Sequence, residues 1–174
     1  MKAMEAILSR RSIRRYTPDP LPEEAIRRVL EAGMAAPSAG DERPWHFVVI
    51  TGKEMLAAIP GFHPHARFVP DAAAAILVCA DRSLSKYPSA DWWVQDCSAA
   101  TQNILLAAHA TGLGAVWLGV HPEKVRIDGF RALCRLPDPI VPFSLVSLGL
   151  PAVRKEREYR FDPSRVHRGR WRMP

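Results

Sequence analysis

The stretch DWWVQDCSAATQNILLAAHATGLG, residues 91–114, is the longest helical pattern in the chain. Its apolar and small side chains recur every three to four residues, a spacing that places them on one face of an α-helix. Gly112 suits the C-terminal cap, because glycine readily takes the left-handed conformation that ends many helices. The run AVWLGV, residues 115–120, then has the apolar character of a strand. The sequence therefore predicts a long, central, buried helix that leads directly into a strand.

Shorter patterns on both sides of this stretch predict further helices and strands. Residues 21–38 predict a strong helix that ends at Pro37, with weaker helical patterns at residues 4–11, 52–59 and 122–137. Apolar runs predict strands at residues 46–50, 72–80 and 142–151, and residues 61–71 predict an irregular loop. From residue 151 onward the apolar periodicity disappears. This tail cannot build a core, so it either stays disordered or docks along a folded surface, including that of a partner subunit.

The composition suits one compact domain over residues 1–174, because 48% of the residues are hydrophobic. No stretch approaches the roughly 20 apolar residues of a membrane span, and the first residues lack the apolar core of a signal peptide. We therefore expect a cytoplasmic protein. The cysteines Cys79, Cys97 and Cys134 are widely spaced, which indicates core thiols in place of disulfides or a zinc site.

The net charge of +6 is concentrated in residues 10–15 and residues 154–172. The first cluster, within SRRSIRRY, could be a solvated basic turn. It could also bind a phosphate, because arginine forms paired hydrogen bonds with phosphate oxygens and Ser12 adds a neutral donor. The two clusters could converge on one anion or serve as arms for nucleic acid, and the charge alone leaves both interpretations open.

Several short motifs could belong to a known type of binding or catalytic site, but most lack the other residues that such a site needs. The glycines of GLGAVWLG, residues 112–119, lack the spacing of a dinucleotide fingerprint. Asp96 could act as a base, but no nucleophile motif surrounds it. His63 and His65 stand together without the partners of a metal site, so we expect no metal. In PSAGDERPWHFVVI, residues 37–50, the small residues would let a planar ligand approach the backbone, although a simple helix stop explains them equally well.

The order of four segments is more specific than any one of them. RRSIRRY, EAGMAAPSAGDERPWHFVVI, QDCSAATQNILLAAHATGLGAVWLG and an ending of the form LGLPA...R...VHRGRW follow one another along the chain. In this order the chain resembles the FMN-dependent nitroreductase family, as one of its short single-domain members. The resemblance implies an α+β fold, a three-layer sandwich with a central, mostly antiparallel sheet. It also implies an interlocked homodimer with C-terminal tail exchange, in which residues 151–174 wrap the partner and both subunits contribute to each FMN site.

The resemblance further implies which residues bind FMN. Arg10, Arg11 and Ser12 match the segment that grips the phosphate and ribityl end, and Arg160 matches the basic residue that completes the phosphate site. Arg14 matches a basic position near the pyrimidine edge of the flavin, where a fixed cation stabilises the negative charge of the reduced ring. Three further residues match a strip against the flavin, and two match backbone near N5: Pro37, Ser38, Ala39, and Leu118, Gly119.

The chain departs from the family pattern at Asp41, where the family usually has Asn, and at Arg43, where it often has Gln. An ionised Asp41 could accept from the flavin N3–H but could not donate to a carbonyl, and it could instead pair with Arg43. Trp92 and Trp93 could stack on an aromatic acceptor, but packing at the start of the helix is the expected role. The short segment of residues 81–93 suggests an open acceptor pocket.

The implied activity is a ping-pong oxidoreductase that uses NAD(P)H as co-substrate. Hydride would pass through flavin N5 to nitroaromatic, quinone or similar conjugated acceptors, and such chemistry needs no protein nucleophile. The same scaffold also hosts dehydrogenases, dehalogenases and flavin-consuming enzymes, and a fold resemblance does not choose among them. A basic nucleic-acid-binding protein is the remote alternative, because no nucleic-acid-binding motif is present.

Overall fold

The computed structural model describes residues 1–171, so the last three residues of the predicted tail, with Arg172, lie outside the described part. The helices are α1 (Ala3–Ser9), α2 (Glu23–Met34), α3 (Lys53–Ala58), α4 (Trp92–Ala110) and α5 (Lys124–Cys134). The strands are β1 (Trp45–Ile50), β2 (Ala74–Asp81), β3 (Gly114–Gly119) and β4 (Ile140–Gly149).

The four strands form one sheet in the order β1-β2-β4-β3, and the three pairings that hold it together are antiparallel. This order makes β3 an edge strand, although β3 follows the central helix in sequence. The predicted α+β class and the mostly antiparallel sheet are therefore confirmed. Among residues 1–171, no helix has both the length and the apolar character needed to cross a membrane.

The sheet is covered on both faces, because successive side chains of a strand point to opposite sides. On β2, Ile76 and Val78 join the apolar cluster formed with α2 and α4. Their neighbours Leu77 and Cys79 join a second cluster on the other face, together with Leu56 of α3 and Phe130 of α5. The result is the expected three-layer arrangement of helices, sheet and helices.

Helix α4 is the central buried helix that the sequence predicts. Its inner face, which includes Trp93, Cys97 and Ile104, is almost fully removed from solvent. The helix ends at Ala110 with Thr111 as its C-cap, and Gly112 follows with φ of 86°, the left-handed conformation expected of a glycine cap. Trp93 confirms the expected packing role, whereas Trp92 beside it is 42% exposed.

The thiols of Cys79 and Cys97 are free and fully buried, which confirms the prediction of core thiols. Burial raises the pKa of Cys79 to about 12, because the low-polarity interior disfavours the thiolate. Cys134 is free and partly buried on α5. The two core thiols therefore act as small apolar side chains.

Two element boundaries differ from the sequence prediction for local reasons. Helix α2 ends at Met34, because a residue before proline disfavours helical geometry and Pro37 follows closely. Strand β4 begins at Ile140, ahead of the predicted start at Pro142. Pro142 has no N–H to donate, and the pairing of β2 with β4 shifts register between Val78 and Cys79, opposite that part of β4.

An N-terminal arm, residues 10–17, crosses the sheet beside β3. The Ile13 N–H donates to the Ala115 carbonyl at 3.0 Å, and the Tyr16 hydroxyl bonds the Ser147 hydroxyl at 2.7 Å. Burial raises the pKa of Tyr16 to about 12. The Tyr16 side chain packs against Gly149, where an added Cβ would come within 2.7 Å of the ring. The arm is therefore fixed to the sheet, and it carries Arg10, Arg11 and Ser12 on its first residues.

Candidate functional site

The arm places three of the predicted site residues against the open edge of β3. Ser12 forms a parallel bridge with Ala115, and its carbonyl accepts from the Lys155 ammonium at 3.0 Å. The Arg11 side chain donates to the Glu156 carbonyl at 2.9 Å and to the Arg10 carbonyl at 2.8 Å. The tail of the same chain is therefore held beside the arm.

The two basic clusters of the sequence converge at this point. Burial lowers the pKa of Arg10, and the positive charges of Arg160 and Arg11 lower it further. Arg160 of the tail therefore lies close enough to Arg10 to repel it, although it also pairs with Glu158 at 2.7 Å. One terminal nitrogen of Arg11 is buried without a hydrogen-bond partner. Guanidinium groups gathered in this way favour an anion between them.

Arg14 lies apart from this basic cluster. Its guanidinium carbon stands 6.0 Å from the centre of the Phe68 ring, in a cation–π arrangement. It also lines a cleft of about 640 Å³, together with Arg15 and Lys53. The lining of that cleft does not include Gly119 or the residues of the basic cluster.

The loop of residues 37–43 is strained and held by its own side chains. Gly40, Asp41 and Arg43 adopt φ values of 55°, 54° and 49°, in the left-handed region. The Ser38 hydroxyl accepts from the Arg43 N–H at 2.9 Å. Asp41 and Arg43 form two parallel hydrogen bonds, at 2.7 and 2.8 Å, which confirms the predicted pair and lowers the pKa of Asp41. Both oxygens of the carboxylate therefore accept from Arg43.

Asp96 anchors this loop to α4. Its Oδ1 accepts from the Ala39 N–H at 2.9 Å, while its Oδ2 is buried without a partner. Burial raises the pKa of Asp96, and the nearby charge of Glu42 raises it further, against the opposing effect of the Ala39 N–H. Glu42 accepts from the Lys86 N–H at 2.6 Å and also has one buried oxygen without a partner. The geometry thus assigns Asp96 an anchoring role.

Strand β3 offers backbone groups on its free side. The Val120 N–H donates to the Phe143 carbonyl at 3.1 Å. The backbone N–H and C=O groups of even-numbered residues in this part of β3 therefore face β4, and those of odd-numbered residues face the open edge. Leu118 is 5% exposed and packs in the core. Gly119 is exposed, and no atom lies within 4 Å of the position its Cβ would take. Its N–H therefore points to the open edge, where a ligand could reach it.

Sequence reasoning missed the two side chains that hold the Gly119 carbonyl. The Gly119 carbonyl accepts from Nε2 of His63 at 3.0 Å and from the Arg126 guanidinium at 2.8 Å. His63 stood out in the sequence only as a possible metal ligand. Within residues 1–171, no group of three or more His, Cys, Asp or Glu side chains could hold a metal ion. The contact joins positions 56 residues apart, so no local pattern could have indicated it.

Helix α4 keeps the basic cluster and the loop of residues 37–43 apart within one chain. Near its start, Asp96 holds Ala39. Near its end, His109 bonds the Ser9 hydroxyl at 2.7 Å, one residue before Arg10. Thirteen residues separate Asp96 from His109, and at 1.5 Å per residue the two contacts lie about 20 Å apart. The structure therefore brings Arg10, Arg11, Ser12 and Arg160 together, and it places Pro37, Ser38, Ala39 and Asp41 elsewhere.

The sequence comparison connects these features with known proteins. A profile of the nitroreductase family matches residues 7–150. The chain belongs to the nitroreductase family. A relative from Methanothermobacter thermautotrophicus, provisionally named NADH dehydrogenase/NAD(P)H nitroreductase, is 52% identical over 171 residues, covering 98% of this chain and 88% of the relative.

Solved structures agree with this assignment. A Parabacteroides distasonis protein with the same provisional name has a TM-score of 0.92 and 40% identity, covering 97% of this chain and 98% of that chain. A provisionally named nitroreductase from Desulfovibrio desulfuricans, solved in complex with FMN, has a TM-score of 0.82 and 32% identity, covering 99% of each chain. The family and the fold predicted from the four segments are therefore confirmed. The match to the nitroreductase family includes the arm, the loop and β3 but ends before Arg160.

Proposed function

We propose that the protein is an FMN-dependent oxidoreductase that takes hydride from NAD(P)H and gives it to nitroaromatic, quinone or similar conjugated acceptors by a ping-pong mechanism. The observation that carries the proposal is the convergence of Arg10, Arg11 and Arg160 beside the open edge of β3 in a nitroreductase-family chain. When bound, FMN supplies the hydride chemistry at its N5 atom. The protein then has to bind it, orient it and set the charge around it.

The basic cluster fits a phosphate. Arg10 is desolvated next to two other guanidinium groups, an arrangement that is unfavourable until an anion neutralises it. The buried nitrogen of Arg11 lacks a partner that a phosphate oxygen could supply. Ser12, which follows on the arm, adds a hydroxyl for the phosphate or ribityl end. These residues would hold the FMN phosphate.

The open edge of β3 fits the flavin ring. The exposed Gly119 N–H can donate to an acceptor atom such as N5, and the backbone of Leu118 lies next to it while the Leu118 side chain remains in the core. Arg14 is the candidate cation for the N1 and O2 edge. A positive charge there would favour the reduced flavin. Asp41 pairs with Arg43 through both carboxylate oxygens, and each oxygen keeps a lone pair that could accept from the flavin N3–H.

A homodimer would complete the site. Because the loop of residues 37–41 lies about 20 Å from the basic cluster in its own chain, that loop would reach the flavin from the partner subunit. Helix α1 supports such an interface, since Met4, Ile7 and Leu8 are exposed on it. The tail, residues 151–174, would wrap the partner. Four of its apolar side chains are exposed, and the partner's surface would cover them: Tyr159, Phe161, Val166 and Trp171.

The direct test uses the purified protein. We expect a flavin absorbance band that bleaches when NADH or NADPH is added without air and returns when a quinone or a nitroaromatic compound is added. Initial rates with varied NAD(P)H and quinone should give parallel double-reciprocal lines. Protein that is colourless and fails to take up added FMN would contradict the proposal, and intersecting lines would contradict the ping-pong mechanism.

A further inference from the structure

Gly119 is the place where the site most needs outside support. Glycine has more backbone freedom than any other residue, and this one lies at the end of an edge strand with open space in front of it. The Val120 N–H bond to Phe143 holds the 119–120 peptide from the β4 side, whereas the Gly119 N–H and carbonyl face away from β4. On that open side, the groups of Gly119 need partners of their own.

Two side chains from different elements meet on the Gly119 carbonyl. His63 arrives from the loop between α3 and β2, and Arg126 arrives from the first turns of α5. Arg126 brings a full positive charge to the carbonyl oxygen, and hydrogen bonds with a charged partner are stronger than neutral ones. Two donors on one oxygen restrict rotation of the peptide more than a single donor would.

The state of the His63 ring follows from its partners. A carbonyl oxygen only accepts hydrogen bonds, so Nε2 must carry the proton. His63 is 1% exposed, and its Nδ1 is buried without a partner. Burial lowers the pKa of His63, and the charge of Arg126 lowers it further, so the ring stays neutral. A buried imidazole with an unpaired nitrogen costs free energy that a leucine would avoid. The contact it does make is the one to Gly119.

We propose that His63 and Arg126 are positioning residues that aim the Gly119 N–H at N5 of the flavin. In a strand, the N–H and the carbonyl of one residue point to the same side, so holding the Gly119 carbonyl restricts the backbone angles of Gly119 and with them the direction of its N–H. This inference rests on the proposed function, since it requires a flavin at the edge of β3. It adds two residues that do not touch the flavin and act through the backbone.

The test compares FMN with 5-deaza-FMN, which has the same shape but a carbon in place of the N5 acceptor. A hydrogen bond contributes about 0.5–1.5 kcal/mol, so the wild-type apoprotein should bind FMN about 2–10-fold more tightly than the deaza compound. In His63→Leu and Arg126→Met this ratio should fall towards one. In His63→Gln, whose amide can still donate to the carbonyl, it should be largely kept.

A second readout is the ¹⁵N chemical shift of N5 in bound, labelled FMN. It should move in His63→Leu and Arg126→Met, while the N3 shift stays constant. His65→Leu is the matched control, because His65 is exposed and its ring lies 6.2 Å from that of His63. If His63→Leu does not fold, Arg126→Met tests the same contact from the surface helix α5.

The two hypotheses fail in different ways. Apoprotein that binds neither flavin contradicts the proposed function as a whole. Apoprotein that binds FMN with an unchanged FMN to deaza-FMN ratio and an unchanged N5 shift in both variants overturns the positioning role alone. A ratio that falls equally in His65→Leu would also overturn it, because the effect would then come from general loosening of the loop.

Discussion

Removal of the Arg10 guanidinium should weaken FMN binding through the phosphate alone. Arg10 is partly buried next to Arg11 and Arg160, so its bond to a phosphate would be shielded from solvent. Hydrogen bonds to charged groups contribute about 1.5–3 kcal/mol, which corresponds to roughly a 10–150-fold higher Kd for Arg10→Ala. Arg160 is 65% exposed, so solvent screening weakens its bond to the phosphate. We expect Arg160→Ala to cost about 1 kcal/mol of binding free energy, roughly a fivefold higher Kd for FMN.

Fluorescence titration of the apoprotein with FMN and with riboflavin separates this effect from loss of structure. Riboflavin lacks the phosphate, so its Kd should change little in either variant. Arg27→Ala is the control for general loss of charge, because Arg27 lies on α2 and pairs with Glu31 at 2.9 Å. An equal loss of affinity for FMN and riboflavin in Arg10→Ala would refute the phosphate assignment, and so would an unchanged Kd for FMN.

Three further predictions concern stability and assembly. Because the pKa of Asp96 is raised in the folded state, the free energy of unfolding of the wild type should fall as pH rises above about 4, the usual Asp value. Asp96→Asn should remove this contribution to the slope of unfolding free energy against pH, which urea unfolding at several pH values measures. An identical slope in the variant would contradict this. Gly149→Ala should lower Tm by several degrees, because the new methyl group meets the Tyr16 ring; an unchanged Tm in calorimetry would show that the ring moves aside. Ile7→Glu should shift a dimer to monomer in light scattering, while Val125→Glu, at an exposed position on α5, should not; a dimer retained by Ile7→Glu would exclude α1 from the interface.

The elements that depend on local pattern were predictable from the sequence. The spacing of residues in α4 and the cap at Gly112 fixed the central helix, and the apolar runs located all four strands to within a few residues. The family resemblance located the arm and the loop of residues 37–43. The pairing of Asp41 with Arg43 was also predictable, since the two charges lie two residues apart.

The contacts that the sequence could not indicate join distant positions. His63 reaches Gly119 only because β3 becomes an edge strand, and strand order depends on the whole sheet. The left-handed conformation of Arg43 comes from its bonds to Ser38 and Asp41, since no residue preference favours it. The separation of the loop from the basic cluster appears only when both are placed along α4.

The exposed edge of β3 has a consequence for handling of the protein. An unpaired strand edge can recruit another strand and so lead to aggregation. Here the arm protects the edge at Ala115, and His63 with Arg126 occupies the carbonyl at its end, which leaves a short open stretch between them. A flavin lying along that stretch would also shield it from other chains. Cofactor-free preparations should therefore be the ones that precipitate on storage, and saturating FMN should keep the protein in solution.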